Sequence, residues 1–265
     1  MMFCVYGPFL SRRIGLSLGI DLLAQNKIKK RCVYDCIYCE IGETPSIGYS
    51  SIDKRIKLEK EFIQYLEKRL SDVLKKEKNL DSITIGYSGE PTLIENLGEV
   101  INKIKPIRGK YCPNTPISIF TNSSTILDNK VCEALDKVDN IITKLDTADQ
   151  NLFQLVNRPH RSVPHISKLI DGLKNYKKYY TNNNLYIQTM LINGKYSNTS
   201  SESLKKLASA YDLIKPDLIQ MYSISRSPAM RSLVKNVYSP QLKELKNLVI
   251  EFLENEDLIE KIRIY

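Results

Sequence analysis

Hydrophobic and polar positions follow two alternating patterns along this chain. Six short runs rich in Ile, Val, Leu, Thr and Tyr have the composition of β-strands. They are residues 16–23, 82–88, 116–122, 140–146, 185–192 and 217–224. Longer segments with helical periodicity follow them, near 62–74, 93–104, 128–137, 164–179, 201–214 and 240–254. The chain therefore repeats a strand and a helix six times.

The first of these helices shows the pattern most clearly. Apolar side chains recur at three- and four-residue steps from Phe62 to Leu74, while Lys and Glu fill the opposite face. The fifth helix should end before Pro216, and the sixth should use Ser239 as N-cap and Pro240 in its first turn. This alternation predicts an α/β fold, in which helices cover a parallel sheet.

The repeat is not interrupted by a low-complexity linker. We therefore expect one domain over residues 1–265, with its core at about 12–225 and a C-terminal helical and strand extension at about 239–265. No stretch reaches the roughly 18 apolar residues of a membrane span, and the N-terminus lacks a signal-peptide cleavage pattern. We expect a cytoplasmic protein without a membrane partner.

The net charge of +9 would suit a polyanionic partner, but solvated lysine-rich helix faces would produce the same charge. Many basic residues lie near expected loops or strand ends. They are Arg12, Arg13, residues 27–31, Arg158, Arg161, Arg226 and Arg231. If several converge, they would bind a phosphate, a carboxylate or nucleic acid, whereas the alternative is that they pair locally. His160 and His165, in a loop beside Arg and Pro, are expected to be surface residues.

Three of the six cysteines lie in one loop after the first strand, namely Cys32, Cys36 and Cys39. In an intracellular chain of this size, such a group indicates metal binding more than disulfide formation. In barrels of alternating strands and helices, function gathers at the C-terminal ends of the strands, which is where this loop lies. The loop is therefore a candidate metal site.

A structural zinc site would need four ligands, usually in two cysteine pairs, and no second C-x2-C pair occurs in this sequence. A [4Fe–4S] cluster fits three cysteines better, because one iron is left open for a substrate or cofactor. Cys4, Cys112 and Cys132 would have to converge to hold a second cluster. We expect them instead to be ordinary small apolar residues.

The C-x3-C-x2-C spacing, with Tyr38 before the last cysteine, resembles the signature of radical S-adenosylmethionine (SAM) enzymes. Residues 88–91, Ser-Gly-Glu-Pro, stand where that superfamily has a Gly-Gly-Glu-Pro motif, with serine replacing the first glycine. The resemblance covers about residues 12–225. Segments 11–23 and 155–163 are most similar to a group of Fe–S oxidoreductases that is loosely related to wyosine-forming tRNA enzymes and has no assigned substrate.

This resemblance implies a partial (β/α)6 TIM-like barrel and an enzyme with two cofactors, a [4Fe–4S] cluster and SAM. Cys32, Cys36 and Cys39 would bind three irons, and the methionyl group of SAM would chelate the fourth. Reductive cleavage of SAM would give a 5′-deoxyadenosyl radical that abstracts hydrogen from an unidentified substrate, which the basic residues suggest is an anion. An electron donor such as ferredoxin or flavodoxin is implied as a partner.

The resemblance also implies a set of SAM-binding residues. Gly89 would allow close approach of the methionyl group, Glu90 would accept a hydrogen bond from its ammonium, and Pro91 is kept from the same motif. Lys144 and Asp146, on one strand face, would bind the SAM carboxylate and the ribose hydroxyls. The adenine would be contacted by Tyr38, Ile192, Tyr222 and Ser223.

Other functions remain open from the sequence. The chain could be an activase that generates a glycyl radical on a partner protein, a tRNA-modifying radical SAM enzyme, or a noncatalytic metal-binding protein. Wyosine-forming enzymes carry three further cysteines ahead of the SAM motif, and this chain has only Cys4 there. Their reaction is therefore not assigned to it, and the substrate class stays open among small molecules, nucleic acids and proteins.

Overall fold

The computed structural model describes residues 4–24, 29–77 and 79–265. Its strands are β1 (Val5–Ser11), β2 (Gly15–Ile20), β3 (Ser82–Ile85), β4 (Ile117–Thr121), β5 (Asn140–Lys144), β6 (Asn184–Met190), β7 (Asn193–Gly194), β8 (Leu218–Tyr222), β9 (Val234–Lys235) and β10 (Ile262–Ile264). Its α-helices are α1 (Lys60–Leu74), α2 (Leu97–Tyr111), α3 (Asn129–Leu135), α4 (Gln150–Val156), α5 (Ile166–Tyr179), α6 (Ser201–Ile214) and α7 (Ser239–Phe252). Short 3-10 helices lie at Pro91–Leu93 and Glu256–Lys261.

One eight-stranded sheet organises the fold, in the order β1-β2-β3-β4-β5-β6-β8-β10. Every neighbouring pair from β2 to β10 is parallel, and β1 joins the edge antiparallel to β2. The small β7–β9 pair is antiparallel. All six predicted strands are present, so the prediction of an α/β fold with a parallel sheet is confirmed.

One strand of this sheet, β1, was not predicted. In β1 the sequence is broken by Gly7 and Pro8, and its pairing with β2 shifts register between Tyr6 and Phe9. Proline cannot donate to a ladder, which is why it is confined to edges and bulges and weakens a strand pattern. β10 lies in the expected C-terminal extension, has only three residues and pairs with β8.

The helix predictions need three corrections. The helix expected at 93–104 lies at Leu97–Tyr111 and continues through Pro106, because Ile107 and Tyr111 beyond it pack against the core. The short α4 was missed, although Asp149 caps it by accepting from the Leu152 amide. In α7 the N-cap is Tyr238 rather than Ser239, and it makes no side-chain capping bond.

The two faces of the sheet differ in chemistry because side chains alternate along each strand. One face is apolar and packs on the helices, with Ile83, Ile119 and Ile187 fully buried. The other carries hydrogen-bonded Ser, Thr and Gln, as in the Ser17–Thr84 pair (2.7 Å) and the bond from Gln188 Nε2 to Gln220 Oε1 (2.7 Å). Ser17 and Thr84 also line a cavity of about 760 Å³.

The parallel strands bring several predicted site residues to one edge of the sheet. The cysteine loop follows β2, the Ser88–Pro91 segment follows β3, and Asp146 follows β5. No helix within the described ranges is both long and apolar enough to span a bilayer.

Candidate functional site

The cysteine loop is fixed by backbone hydrogen bonds to two other segments. The Arg31 amide donates to Ser88 O (2.9 Å), and the Glu90 amide donates back to Arg31 O (2.9 Å). At the other end of the loop, the Ile37 amide donates to Val156 O (3.0 Å), at the end of α4. The loop is therefore held between the Ser88–Pro91 segment and a helix that the sequence did not predict.

The cysteine side chains lie in a largely buried, mutually interacting group. Cys32 Sγ accepts from Asn122 Nδ2 (3.4 Å), and Cys36 Sγ accepts from Asn157 Nδ2 (3.5 Å). Burial raises the pKa of the Cys32 thiol, and burial with the nearby Cys39 raises the pKa of Cys36 to about 12. The three thiols are thus close enough to influence one another electrostatically.

A buried lysine accompanies these thiols. Lys30 Nζ donates to Gly42 O (2.8 Å), and only 2% of Lys30 is exposed. Burial alone would lower its pKa, but the nearby thiol groups of Cys39, Cys32 and Cys36 raise it. A fixed positive charge therefore stands beside the cysteine sulfurs.

The three thiols of the cysteine loop are a donor set that suits an iron–sulfur cluster. Within the described ranges, no group of three or more His, Cys, Asp or Glu side chains converges as the ligands of one ion do. A [4Fe–4S] cluster instead takes each thiolate on a different iron, so its ligands stand further apart. Two sulfurs already accept N–H donors, and such hydrogen bonds are one way a protein tunes a cluster.

The other three cysteines are buried in the main apolar core. Cys4 precedes β1, Cys112 follows α2, and Cys132 lies in α3 with its thiol donating to Ile126 O (3.2 Å). All three therefore pack as small apolar residues of the core.

Gly89 is the point of closest approach between the loop and the Ser88–Pro91 segment. Its φ is 140°, and it forms a parallel bridge with Arg31. A Cβ built there would overlap the carbonyl oxygen of Arg31 and lie 2.5 Å from its carbonyl carbon. Only glycine meets both requirements at once.

Glu90 is buried and accepts four hydrogen bonds from the protein. They come from the Thr92 amide (3.0 Å) and hydroxyl (2.6 Å), the Thr121 hydroxyl (2.8 Å) and the Asn122 amide (2.6 Å). Burial raises its pKa, although these donors oppose the increase. Glu90 thereby joins the ends of β3 and β4, and Pro91 begins the 3-10 helix that Glu90 caps.

Lys144 and Asp146 lie together, as the sequence predicted, but they pair with each other. Asp146 is fully buried at its side chain, and its carboxylate accepts from Lys144 Nζ (2.8 Å), Asn157 Nδ2 (2.8 Å), the Met190 amide (2.8 Å) and the Tyr38 hydroxyl. Both carboxylate oxygens therefore already have donors from the chain.

Lys144 connects this carboxylate to the last strand of the site. Its ammonium also donates to the Tyr222 hydroxyl (2.9 Å) and lies 4.8 Å from the Tyr222 ring centroid. Burial would lower the pKa of Lys144, but Asp146 and Tyr222 raise it. The lysine is therefore held charged between the two residues.

The residues expected around adenine meet in a second, smaller apolar cluster. Tyr38, Ile192 and Tyr222 belong to it, together with Met190 and Val156. Ser223 lies beside it, but its hydroxyl donates to Leu191 O (2.7 Å) and accepts from the Val237 amide (2.8 Å). Ser223 thus links two backbone segments.

Several residues in the site were not foreseen. Asn122 stands at the end of β4, where the strand-end rule would have found it. Asn157 gave no sequence signal, because a buried amide looks like a surface one in a polar segment. Lys30 was noted only as one of the basic residues at 27–31, and its burial beside the cysteines was not predicted. Asn198, which donates to Asp146 O (2.8 Å) and accepts from the Ile192 amide (2.8 Å), was missed for the same reason.

The sequence predicted both histidines as surface residues, and the structure has His165 exposed and His160 half-buried. His160 Nδ1 bonds with the Ser162 hydroxyl (2.8 Å), and His165 caps α5 by accepting from the Ser167 amide (3.3 Å). In these hydrogen bonds, neither imidazole ring contacts a cysteine.

Known proteins resemble this chain both in sequence and in fold. The family model of the radical SAM superfamily matches residues 26–206. The chain belongs to the radical SAM superfamily. A UPF0026 protein of Helicobacter pylori is 32% identical over 228 residues, which cover 86% of this chain and 68% of that protein. This radical SAM chain spans between 30% and 78% of the length of the curated relatives it matches.

Solved structures confirm the fold of this radical SAM enzyme. Streptococcus suis SuiB bound to S-adenosylmethionine is 15% identical, with a TM-score of 0.58 over 89% of this chain and 48% of SuiB. TYW1 with a lysine-pyruvate adduct bound is 14% identical, with a TM-score of 0.59 over 91% of this chain and 76% of TYW1. SAM and a [4Fe–4S] cluster are the cofactors that the superfamily implies.

Proposed function

We propose that this enzyme holds a [4Fe–4S] cluster on Cys32, Cys36 and Cys39, and that it abstracts hydrogen from an anionic substrate. Such a cluster, once bound and reduced, would supply one electron for cleavage of SAM into methionine and a 5′-deoxyadenosyl radical. The proposal is supported most by two backbone hydrogen bonds, which hold the cysteine loop against the Ser88–Pro91 segment. They join the cluster ligands to the expected methionyl-binding segment.

The chain's own residues would prepare this site in three ways. Lys30 and the amide groups of Asn122 and Asn157 would stabilise negative charge on the cysteine sulfurs. Gly89 would let the backbone approach the methionyl group closely. Glu90, which already accepts four bonds, would fix the shape of the segment around the methionyl ammonium.

The Asp146 contacts support a role that differs from the expected ribose contact. Because both of its oxygens accept from the protein, Asp146 would position Tyr38 and Lys144. Lys144 would offer its ammonium to the SAM carboxylate, and Tyr38 with Ile192 would form an apolar wall for adenine.

We further propose that the enzyme works as a single domain in the cytoplasm with ferredoxin or flavodoxin as electron donor. Reduced thiols at all six cysteines suit such a compartment. An activase for a partner protein, or a tRNA-modifying enzyme, would use the same radical chemistry on a different substrate. A noncatalytic metal protein would not cleave SAM.

Anaerobic reconstitution tests the proposal. The purified chain is loaded with iron and sulfide, reduced with dithionite and given SAM, and 5′-deoxyadenosine is measured by chromatography. We expect the product from wild type and none from Cys36→Ala, because that change removes one cluster ligand. Cys112→Ala, in the core, is the matched control and should retain both iron and product. A wild-type chain with full iron content and no 5′-deoxyadenosine would contradict the proposal.

A further inference from the structure

The sequence left open whether the basic residues converge on an anion or pair locally, and the structure shows which of them have local partners. Most of them pair locally. Arg226 contacts Glu40 (3.2 Å), Arg158 contacts Asp35 (3.4 Å), Arg31 donates to Lys54 O (3.1 Å), and Arg231 donates to the Ser227 hydroxyl (2.7 Å). Within the described ranges, Arg12, Arg13, Lys29 and Arg161 have no side-chain hydrogen-bond or ion-pair partner, and Lys27 lies outside those ranges. Arg13 differs from the other three because it both stacks on the Tyr222 ring and lines a cavity.

Arg13 is nevertheless held in a defined place. It lies in the turn between β1 and β2, where its backbone oxygen accepts from Gln220 Nε2 (3.3 Å). Its guanidinium carbon lies 4.0 Å from the centroid of the Tyr222 ring. A guanidinium that stacks by its face keeps its in-plane N–H donors available. Arg13 is thus a positioned cation with unused donors.

The cavity that Arg13 lines has the size of a small-molecule site. Its volume of about 760 Å³ falls within the range of ligand pockets, roughly 300–1,000 Å³. Ser88, in the expected methionyl-binding segment, lines the same cavity. Tyr222, under the Arg13 guanidinium, accepts from Lys144, which pairs with Asp146. The cavity therefore adjoins the proposed SAM site.

The charges and ring systems around the cavity indicate what it would take. Arg13, Lys29 and Arg226 face it as cations, and Asp21 is the opposing acid. Burial raises the pKa of Asp21, and its carboxylate already accepts from the Leu23 amide (3.0 Å) and the Ser88 hydroxyl. The aromatic lining residues are Tyr6, Phe9, Tyr87 and Phe120. Positive charge thus exceeds negative charge beside several rings.

We propose that Arg13 is a specificity-determining residue that binds a carboxylate or phosphate group of the substrate, whose ring-containing body lies against the aromatic lining of this cavity. A guanidinium fork matches both kinds of anion, each through two parallel hydrogen bonds. The inference rests on the proposed function, because it assigns the substrate class of that same site.

Binding of small probes to the reconstituted enzyme in the presence of SAM tests this assignment. Benzoate and phenyl phosphate carry the two anions on one ring, and phenol is the neutral ring control. By anaerobic titration calorimetry we expect at least one anionic probe to bind at least tenfold more tightly than phenol. The stronger of the two identifies carboxylate or phosphate as the preferred group.

Variants of the same turn assign the binding to Arg13. Arg13→Met should weaken the preferred anion at least tenfold, and Arg13→Lys should give an intermediate loss because it keeps the charge without the planar fork. Arg12→Met removes an equal charge from an exposed neighbour that lines a different pocket, and should change binding less than twofold. Circular dichroism verifies that each variant is folded. If Arg13→Met is unfolded, the loss of anion binding in Arg13→Lys is the result that tests the inference.

Equal affinity for phenol, no binding of either anion, or undiminished binding by the Arg13 variants would overturn the inference. Its failure can be told apart from failure of the proposed function. Wild-type enzyme that forms 5′-deoxyadenosine but shows no Arg13-dependent binding refutes only the anion site. Arg13-dependent binding without SAM cleavage refutes only the proposed chemistry.

Discussion

Replacing Gly89 by alanine tests the contact that joins the cysteine loop to the Ser88–Pro91 segment. A Cβ atom essentially never lies closer than 3.0 Å to a heavy atom outside its own residue and its two chain neighbours, and an alanine Cβ at this position would overlap Arg31 O and lie 2.5 Å from Arg31 C. Both neighbours are backbone, so the two segments must move apart. The bond from the Glu90 amide to Arg31 O (2.9 Å) would be lost or stretched with them.

Two costs add in this variant. Forcing alanine into a backbone conformation with φ near 140° costs about 1–3 kcal/mol. Relieving the overlap costs about 1–3 kcal/mol more, as for other overpacked sites. We therefore expect Gly89→Ala to lower the free energy of unfolding by about 2–6 kcal/mol and to reduce the iron content after reconstitution.

Urea denaturation of the metal-free chain, followed by circular dichroism, measures the loss. Gly109→Ala is the matched control, since Gly109 lies in α2 and an added Cβ meets no atom within 4 Å. Alanine there should stabilise the chain by about 0.5–1 kcal/mol. If Gly89→Ala were as stable as wild type and bound a full complement of iron, the proposed clamp would be refuted.

Three further predictions concern the charges around the site. Asp146→Asn should leave the Lys144 ammonium without its buried partner and cost about 3–5 kcal/mol in urea denaturation, and a cost below 1 kcal/mol would show that the pair is not coupled. Lys30→Met should make the midpoint potential of the reconstituted cluster more negative in EPR-monitored titrations, because a nearby cation stabilises the reduced form. Lys30→Arg keeps the charge and should preserve the potential. An unchanged potential in Lys30→Met would exclude this electrostatic role. Because burial raises the pKa of Asp21, its contribution to stability is present below its unfolded pKa of about 4 and is lost as pH rises through the folded value. The stability of wild type relative to Asp21→Asn should therefore fall as pH rises above about 4 in urea titrations, and a pH-independent difference would contradict that shift.

Local patterns in the sequence were enough to predict most of the fold. The six strands could be predicted because each is a compact apolar run, and the cysteine loop because its spacing is contained within eight residues. β1 could not be predicted in this way, since Pro8 interrupts its pattern and its stability comes from pairing with β2. The three-residue β10 likewise depends on β8, far away in sequence.

The sequence predicted many of the residues in the candidate site but few of the contacts between them. The sequence placed Lys144 and Asp146 on one strand face, whereas β5 ends at Lys144 and Asp146 follows it. The sequence also held no information on which donors would reach the carboxylate. Two of those donors, Tyr38 and Asn157, come from separate segments, and only the folded chain brings them together. Long-range pairing of buried polar groups is therefore what the sequence left out.

The central claim is that the fourth iron of the cluster is reserved for SAM. Electron–nuclear double resonance on the reduced, reconstituted enzyme tests this directly, using SAM labelled with ¹⁵N at the amino group and ¹⁷O at the carboxylate. We expect hyperfine coupling of both labels to the cluster, because the methionyl group would bind the iron that lacks a cysteine. A reduced [4Fe–4S] signal without coupling to either label at saturating SAM would contradict it.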